Sequence, residues 1–379
     1  MKIRHLIAAG LMAAVAAAPA LADRLEYRVL TQNRDIGHFK LDRQDGKITV
    51  DFDYKQNGRG PTISEVVTLD KNGAPLVWTI TGRTTFGNAV NETFTRGVNH
   101  AIWKDLSGTG GAKGSNVPRY YATQNGSPLD VALLAKALLT DPDRSMPVAP
   151  AGIARLTERA RSTFDGPNGR IEVITYELSG LSLNPTYITL DASGELFAIA
   201  SADFIIARKG YETAADEPLR ALSERLESER FSSIQKEFAH RYDGPVRIRN
   251  VRIFDPVTGQ RSEARDVVMS GSRIASIQPA GSLATPGETE IDGAGGTLVP
   301  GLYEMHGHLA QQDALLNLLA GITTVRDMGN TNPVLDVLID RIGKGEVAGP
   351  RIVRSGFIEG KSPFSSGTGQ LVETEEQAT

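Results

Sequence analysis

The sequence predicts a multi-domain protein in which an antiparallel, β-rich α+β domain precedes a small β-unit and the first strands of a parallel β/α barrel. The first half alternates apolar and polar residues with a period of two, between tight-turn dipeptides. From about residue 297, strand-like runs alternate with helical runs, which is the order that builds a parallel sheet. At 379 residues, the chain is also too long for one typical domain.

The composition excludes several classes of protein. Hydrophobic residues make up 40% of the chain, as in ordinary globular proteins. Lysine and arginine number 41 against 45 acidic residues, a net charge of −4, so we expect no nucleic-acid partner. The chain has no cysteine, which excludes disulfides, thiolate metal sites and a cysteine nucleophile.

Residues 1–22 have the pattern of a secretory signal peptide. Lys2 and Arg4 supply a positive start, an alanine-rich apolar run follows, and a small-residue motif ends at Ala22. The alternative is an N-terminal membrane anchor, but the run is short for a bilayer span. We therefore expect cleavage after Ala22, a periplasmic or secreted protein, and no membrane contact after cleavage.

Residues 23–242 are predicted to form the β-rich domain, whose role the sequence does not indicate. Turn dipeptides such as Asp45-Gly46 and Asn72-Gly73 recur between the strand-like runs and favour hairpins. In the run 47–54, alternate residues are apolar and predict one buried strand face, namely Ile48, Val50, Phe52 and Tyr54. Together these signals predict an antiparallel meander.

Two helices are expected within this domain. Ser127 is a candidate cap, with Pro128 at the first helical position, and the apolar run 131–139 then predicts a helix buried against the sheet. A second helix is predicted over 218–240, and its apolar stripe comprises Leu219, Leu222, Leu226, Ile234 and Phe238. A sheet over a buried helix loosely resembles periplasmic lipoprotein carriers, so one functional hypothesis is a non-enzymatic ligand-binding or carrier protein.

The glycine-rich segment 107–115 superficially resembles a phosphate-binding loop. Such a loop ends in Gly-Lys-Ser/Thr, because the lysine and the hydroxyl must both reach the phosphates and Mg²⁺. Here Gly114 follows Lys113, so the segment is predicted to be a flexible surface loop and not a nucleotide site.

The second half begins with short strands and tight turns at residues 243–297, which predict a small β-sandwich unit. Residues 298–379 then predict the start of a (β/α)8 TIM barrel. The expected β-α-β-α-β order is a strand over 297–305, a helix over 313–320, a strand over 322–326, a helix over 333–342 and a strand over 351–357.

His306 and His308 are two residues apart at the end of the first of these strands, so they share one face. Active sites of parallel barrels form at this end of the strands, and two imidazoles there can hold a metal ion. The spacing alone leaves a second interpretation open, a turn with two exposed histidines.

The residues around this pair resemble the amidohydrolase superfamily. Residues 298–309 (LVPGLYEMHGHL) are similar to its first barrel strand, 321–329 (GITTVRDMG) to its second and 349–356 (GPRIVRSG) to its third. The loop Gly360-Lys-Ser-Pro363 resembles that of imidazolonepropionase-like members. The resemblance extends from about Pro245 to the end of the sequence.

The resemblance implies a metal-dependent hydrolase that acts on C–N bonds of small amides, cyclic amides or dipeptide-like substrates. One or two divalent ions, most often zinc, are implied as cofactor, with His306 and His308 as ligands. Arg326 and Asp327 are implied to orient the site, although a salt bridge closing the barrel end is an equal alternative. Glu304 stands where the family usually has aspartate and is a candidate supporting carboxylate.

The implied site is incomplete in this sequence. The family completes it with a lysine or glutamate on the fourth strand, histidines on the fifth and sixth and an aspartate on the eighth, yet no histidine follows His308. A complete barrel needs roughly 250 residues. We therefore expect a chain truncated after about the third strand and inactive by itself, or else a half-barrel completed by another chain. The substrate and the oligomeric state remain open.

Overall fold

The computed structural model describes residues 23–31, 34–115, 117–202, 204–330, 332–362, 365 and 369–378. The predicted signal peptide lies outside these residues, as does the side chain of Val334. The chain forms two compact units that divide between Ser223 and Glu224. Within the described ranges, no helix is both long enough and apolar enough to cross a membrane.

The first unit contains a single sheet of 15 strands. In chain order, its elements are β1 (Asp23–Thr31), β2 (Arg34–Gln44), β3 (Lys47–Tyr54), β4 (Thr62–Leu69), β5 (Pro75–Arg83), β6 (Ala89–Arg96), β7 (His100–Asp105), β8 (Gly108–Lys113), β9 (Tyr120–Tyr121), α1 (Leu129–Thr140), β10 (Ser145–Ala149), β11 (Ile153–Gly166), β12 (Gly169–Ser179), β13 (Thr186–Asp191), β14 (Leu196–Ala200) and β15 (Ile205–Arg208). Helix α2 (Glu212–Phe238) follows, and the division between the two units falls within it. Along the sheet, the order runs from β8 back to β1, and then from β15 back to β9.

The predicted meander is confirmed, because neighbouring strands pair antiparallel everywhere except between β9 and β10. In β3, Ile48, Val50 and Phe52 are buried, and the residues between them are exposed. The turn before β3 places Asp45 and Gly46 at φ angles of 51° and 74°. The period-two pattern therefore identified both the strand and its buried face.

Helix α1 packs against one face of this sheet, as predicted. It begins at Leu129, one residue later than expected, so Pro128 occupies the cap position. The Ser127 hydroxyl accepts a hydrogen bond from the Leu129 amide at 3.3 Å. The buried residues of α1 join the main core of the sheet, and they are Leu129, Leu133, Leu134, Ala135 and Leu138.

Two predictions about these elements were wrong. Part of the glycine-rich segment forms β8, an edge strand paired with β7, where a loop was expected. A Cβ on Gly110 would lie 2.3 Å from the Trp103 indole nitrogen, so the absent side chain leaves room for that ring. Helix α2 begins six residues before Pro218, and Phe238, expected in its apolar stripe, is 65% exposed.

After the end of α2, the second unit contains a six-stranded sheet and then a parallel one. Its elements are β16 (Val246–Asp255), β17 (Gln260–Arg261), β18 (Arg265–Ser270), β19 (Arg273–Pro279), β20 (Thr289–Asp292), β21 (Thr297–Leu298), β22 (Leu302–Gly307), α3 (Gln311–Leu319), β23 (Ile322–Asp327), α4 (Asn332–Gly343), β24 (Arg351–Arg354), β25 (Ile358–Gly360), β26 (Gln370–Val372) and α5 (Glu375–Ala378).

Strand β16 organises the six-stranded sheet, since β17, β18, β20 and β21 all pair with it. Arg247 on β16 is fully buried, and its Nε donates to a Glu288 carboxylate oxygen at 2.6 Å. One of its terminal nitrogens donates to the Gln278 side chain at 2.9 Å and lies 3.9 Å from the buried Asp266 carboxylate. A buried ionic cluster thus joins β16 to three other segments of this sheet.

The predicted β-α-β-α-β order is present as β22, α3, β23, α4 and β24, and the strands pair parallel in the order β22-β23-β24. The expected first strand is broken at residues 299–301, which separate β21 from β22. Buried apolar residues between the sheet and its helices form one core, namely Leu309, Ala314, Val325, Leu335, Leu338 and Val347. Three parallel strands form an open sheet, so the barrel itself remains a prediction.

Candidate metal centre

The two predicted metal ligands lie at the carboxyl end of β22. His306 is within the strand, and His308 follows its last residue, Gly307. A Cβ on Gly307 would lie 2.6 Å from Val325 Cγ1, a distance that real side chains do not reach. The residue between the histidines is therefore glycine because the neighbouring strand leaves no room for a side chain.

The structure brings the two imidazole rings together on the surface of the second unit. Their centroids are 5.3 Å apart, and the ring planes make an angle of 69°. His308 Nδ1 lies 2.7 Å from the Gly329 carbonyl oxygen. A carbonyl can only accept a hydrogen bond, so Nδ1 is the donor, and in the neutral ring Nε2 is the nitrogen with the lone pair. Such an arrangement is typical of metal-binding histidines.

The supporting candidates contact the backbone of this segment. Glu304 accepts a hydrogen bond from the His306 amide at 2.8 Å. Arg326, which is exposed, donates from Nε to the Met305 carbonyl at 3.0 Å. Both side chains therefore hold the strand that carries His306 and do not contact the imidazole rings through these bonds.

Asp327 ends β23 and is only 1% exposed. Its carboxylate accepts hydrogen bonds from the Leu309 amide at 2.9 Å, the Gly329 amide at 3.1 Å and the Asn330 side-chain amide at 3.0 Å. No lysine or arginine in the described part of the chain forms an ion pair with it. The predicted alternative, a salt bridge between strand ends, is therefore absent from these residues.

The donor chemistry fits part of a site for a divalent metal. Two imidazoles with a free nitrogen are ordinary zinc ligands. A catalytic zinc ion usually has three protein ligands and one open position, whereas the described ranges contain no group of three His, Asp or Glu residues arranged to hold a metal. The described residues thus supply two candidate ligands, one fewer than such a site requires.

The first unit contains a group of buried carboxyls that sequence reasoning missed. Glu65 on β4 and Glu92 on β6 are each 1% exposed. Both accept hydrogen bonds from residues 121–127, the segment that leads into α1. Glu65 accepts from the Ser127 amide and, at 3.0 Å, from the Trp78 indole. Glu92 accepts from the Tyr121 hydroxyl at 2.6 Å and from two backbone amides, those of Gln124 and Asn125.

Asp130, in the first turn of α1, holds the same segment through the Thr123 amide and hydroxyl. Burial raises the pKa of Glu65 to about 7 and that of Asp130 to about 6. Both glutamates occupy inward positions of alternating strands, and a charged residue at such a position is the signal that could have identified them. Their hydrogen bonds indicate a structural role for these carboxyls.

The ligand-carrier hypothesis concerns the interior of the same unit. Helix α1 fills much of the sheet face, and a cleft of about 510 Å³ remains beside it. The cleft is open, and part of its lining is apolar, including Phe52, Tyr54, Ile199 and Phe204. Binding of a ligand there stays a prediction.

Comparison with known proteins identifies relatives of part of the chain. No protein-family model matches it. Dihydroorotases from Streptococcus pyogenes, serotype M1 among them, are 33% identical over 100 residues, covering 24% of this chain and 23% of the relative. An adenine deaminase from Chelativorans sp. (strain BNC1) is 34% identical over 100 residues, covering 24% of this chain and 17% of the relative. The chain therefore spans a quarter or less of these curated relatives.

Similar solved structures include a Xaa-Pro dipeptidase with methionine bound in its active site, at 28% identity and a TM-score of 0.29, covering 31% of this chain and 34% of that one. A prolidase complexed with N-methylphosphonate-L-proline has 25% identity and a TM-score of 0.26, covering 31% of this chain and 33% of that one. Together with the His306-Gly307-His308 motif at the end of a parallel strand, the dihydroorotase and adenine deaminase relatives point to the amidohydrolase superfamily for the part of the chain that they cover.

Proposed function

We propose that this chain is part of a metal-dependent hydrolase that cleaves a C–N bond in a small amide, cyclic amide or dipeptide-like substrate. The observation that carries the proposal is the arrangement of His308. Its Nδ1 is bound to the Gly329 carbonyl, so its Nε2 is left free beside the His306 ring. Relatives named dihydroorotase and adenine deaminase support the same class of reaction.

His306 and His308 would hold a divalent ion, with zinc the first choice, through their imidazole nitrogens. Such an ion lowers the pKa of bound water and polarises a carbonyl oxygen. Glu304 and Arg326 would keep the ligand-bearing strand in place through their backbone hydrogen bonds. Since a catalytic zinc ion usually has three protein ligands, we expect the 379-residue chain to bind metal through this pair without turning over substrate.

Metal content tests the ligand assignment. The purified chain is loaded with Zn²⁺, desalted and analysed for zinc per chain, beside His306→Ala, His308→Ala and the control His100→Ala. His100 is an exposed residue of β7 in the other unit. We expect each of the first two variants to lose most of the bound zinc and the control to retain it. An unchanged zinc content in both His306→Ala and His308→Ala would refute the assignment.

Activity tests the proposed reaction. A longer protein that contains this chain together with further metal ligands is expected to release amine or ammonia from a panel of cyclic amides and dipeptides. Loss of turnover on chelation, with recovery on adding Zn²⁺, would support the proposal. A metal-loaded longer protein that is inert toward the whole panel would contradict it.

We also propose that the protein is exported, with residues 1–22 removed. The basic start, the apolar run and the small-residue motif ending at Ala22 support this. Intact-mass analysis of the protein expressed from the complete sequence is expected to give a chain that begins at Asp23 and is found in the periplasm or the medium. An uncleaved protein would indicate the anchor alternative.

A further inference from the structure

The backbone on both sides of His308 is held by the next strand. The Gly307 carbonyl accepts from the Met328 amide at 2.9 Å. The Leu309 amide donates to the Asp327 carboxylate at 2.9 Å. His308 is thus fixed between two hydrogen bonds that both lead to the end of β23, although it lies in a connecting segment.

The Asp327 carboxylate joins two segments at this point. One oxygen accepts from the Gly329 amide, and the other accepts from Leu309 and from the Asn330 side chain. The same Asn330 amide nitrogen donates to the Leu309 carbonyl at 2.8 Å. The segment after β22 and the segment after β23 are therefore tied together by one buried carboxylate and one amide.

The Gly329 carbonyl is also the acceptor for His308 Nδ1. Its position depends on the Gly329 peptide, whose amide donates to Asp327 two residues earlier. Asp327 therefore controls both the backbone that carries the imidazole and the acceptor that selects its tautomer. Charge-assisted hydrogen bonds to a buried carboxylate are stronger and shorter than neutral ones, which suits this role.

We infer that Asp327 is a positioning residue, which, with the Asn330 side chain that links it to Leu309, holds His308 in the Nδ1–H tautomer and leaves Nε2 available to a metal ion. Only the binding of a metal ion by Nε2 rests on the proposed function. The tautomer and its dependence on Asp327 follow from the hydrogen bonds in the metal-free chain. Residues that orient a histidine ligand in this way change metal affinity by about 10–100-fold when they are replaced.

The test records the histidine tautomers of the full, metal-free chain by long-range ¹H–¹⁵N correlation at pH 8, with the His308 signal assigned through His308→Ala. Wild type is expected to show His308 in the Nδ1–H form. Asp327→Asn places an NH₂ group against at least one of the three donors, so the Nδ1–H fraction is expected to fall. Asp340→Asn, which removes a surface carboxylate paired with Lys344, is the control and is expected to change nothing.

Asn330→Ala provides a second variant, because it removes the bridge and keeps the carboxylate. We expect a smaller loss of the Nδ1–H form than in Asp327→Asn. A tautomer unchanged in every variant that folds, as judged by circular dichroism, would overturn the inference.

Zinc affinity then separates this inference from the proposed function. We expect Asp327→Asn to weaken zinc binding by about 10–100-fold while His306 and His308 are both present. A chain whose His308 tautomer responds to Asp327 but which binds no zinc would sustain the positioning role and refute the proposed function. A chain that binds zinc but whose His308 tautomer does not respond to Asp327→Asn would support the proposed function and refute the positioning role.

Discussion

The carboxyl group of Glu65 makes the stability of the first unit depend on pH. It is 1% exposed, and its contacts are the Trp78 indole and the Ser127 amide. No cation of the described residues pairs with it, so burial raises its pKa from the usual 4.5 to about 7. The folded state therefore binds the Glu65 proton more tightly than the unfolded state does.

The sign and size of the effect follow from linkage. Glu65 stabilises the fold fully below about pH 4.5, and this contribution is lost as the pH rises through about 7. The rise in pKa corresponds to about 3 kcal/mol of unfolding free energy between these limits. Glu65→Gln imitates the protonated form at every pH. The variant should match wild type below about pH 4 and exceed its stability by up to about 3 kcal/mol at pH 8.

Urea unfolding followed by tryptophan fluorescence measures this effect. Both tryptophans of the chain, Trp78 and Trp103, lie in the first unit, so the signal reports on it alone. Glu26→Gln is the control, since the hydrogen bond from Lys209 holds the pKa of Glu26 below its usual value. That variant should be less stable than wild type by the same amount throughout pH 5 to 8, because Glu26 is ionised in both the folded and the unfolded state over this range. If the unfolding free energies of wild type and Glu65→Gln differ by the same amount at every pH from 5 to 8, the reasoning is refuted.

Three further predictions concern packing. Leu138→Ala empties a fully buried position of α1 and should cost about 2–5 kcal/mol in urea unfolding, and a loss below 1 kcal/mol would mean that the sheet closes over the gap. Arg247→Ala removes a fully buried guanidinium that binds Glu288 and lies beside the buried Asp266 carboxylate, so it should destabilise the second unit, measured by hydrogen exchange. Unchanged protection would contradict a structural role for this cluster. Gly307→Ala forces a Cβ against Val325 and should lower the unfolding free energy by about 1–3 kcal/mol and weaken zinc binding. If neither stability nor zinc affinity changes, the close approach of Gly307 to Val325 is contradicted.

Local patterns in the sequence determined much of this architecture. A period of two marked the strands of the meander, because side chains alternate between the faces of a strand. The change to alternating strand and helix patterns near residue 297 predicted the parallel order of β22, β23 and β24. The His306-Gly307-His308 motif could be recognised because all of its residues lie within one short segment.

Only the tertiary structure decided which distant residues meet. Glu65 and Ser127 are 62 positions apart in the sequence, and Asp327 and Leu309 are 18 positions apart, yet each pair is joined by a hydrogen bond. Their contacts depend on strand register and on the path of connecting segments, which hydrophobic periodicity does not encode. The sequence could therefore name His306 and His308 as candidate ligands, whereas the hydrogen bonds that orient His308 and the environment that perturbs Glu65 depend on the folded arrangement.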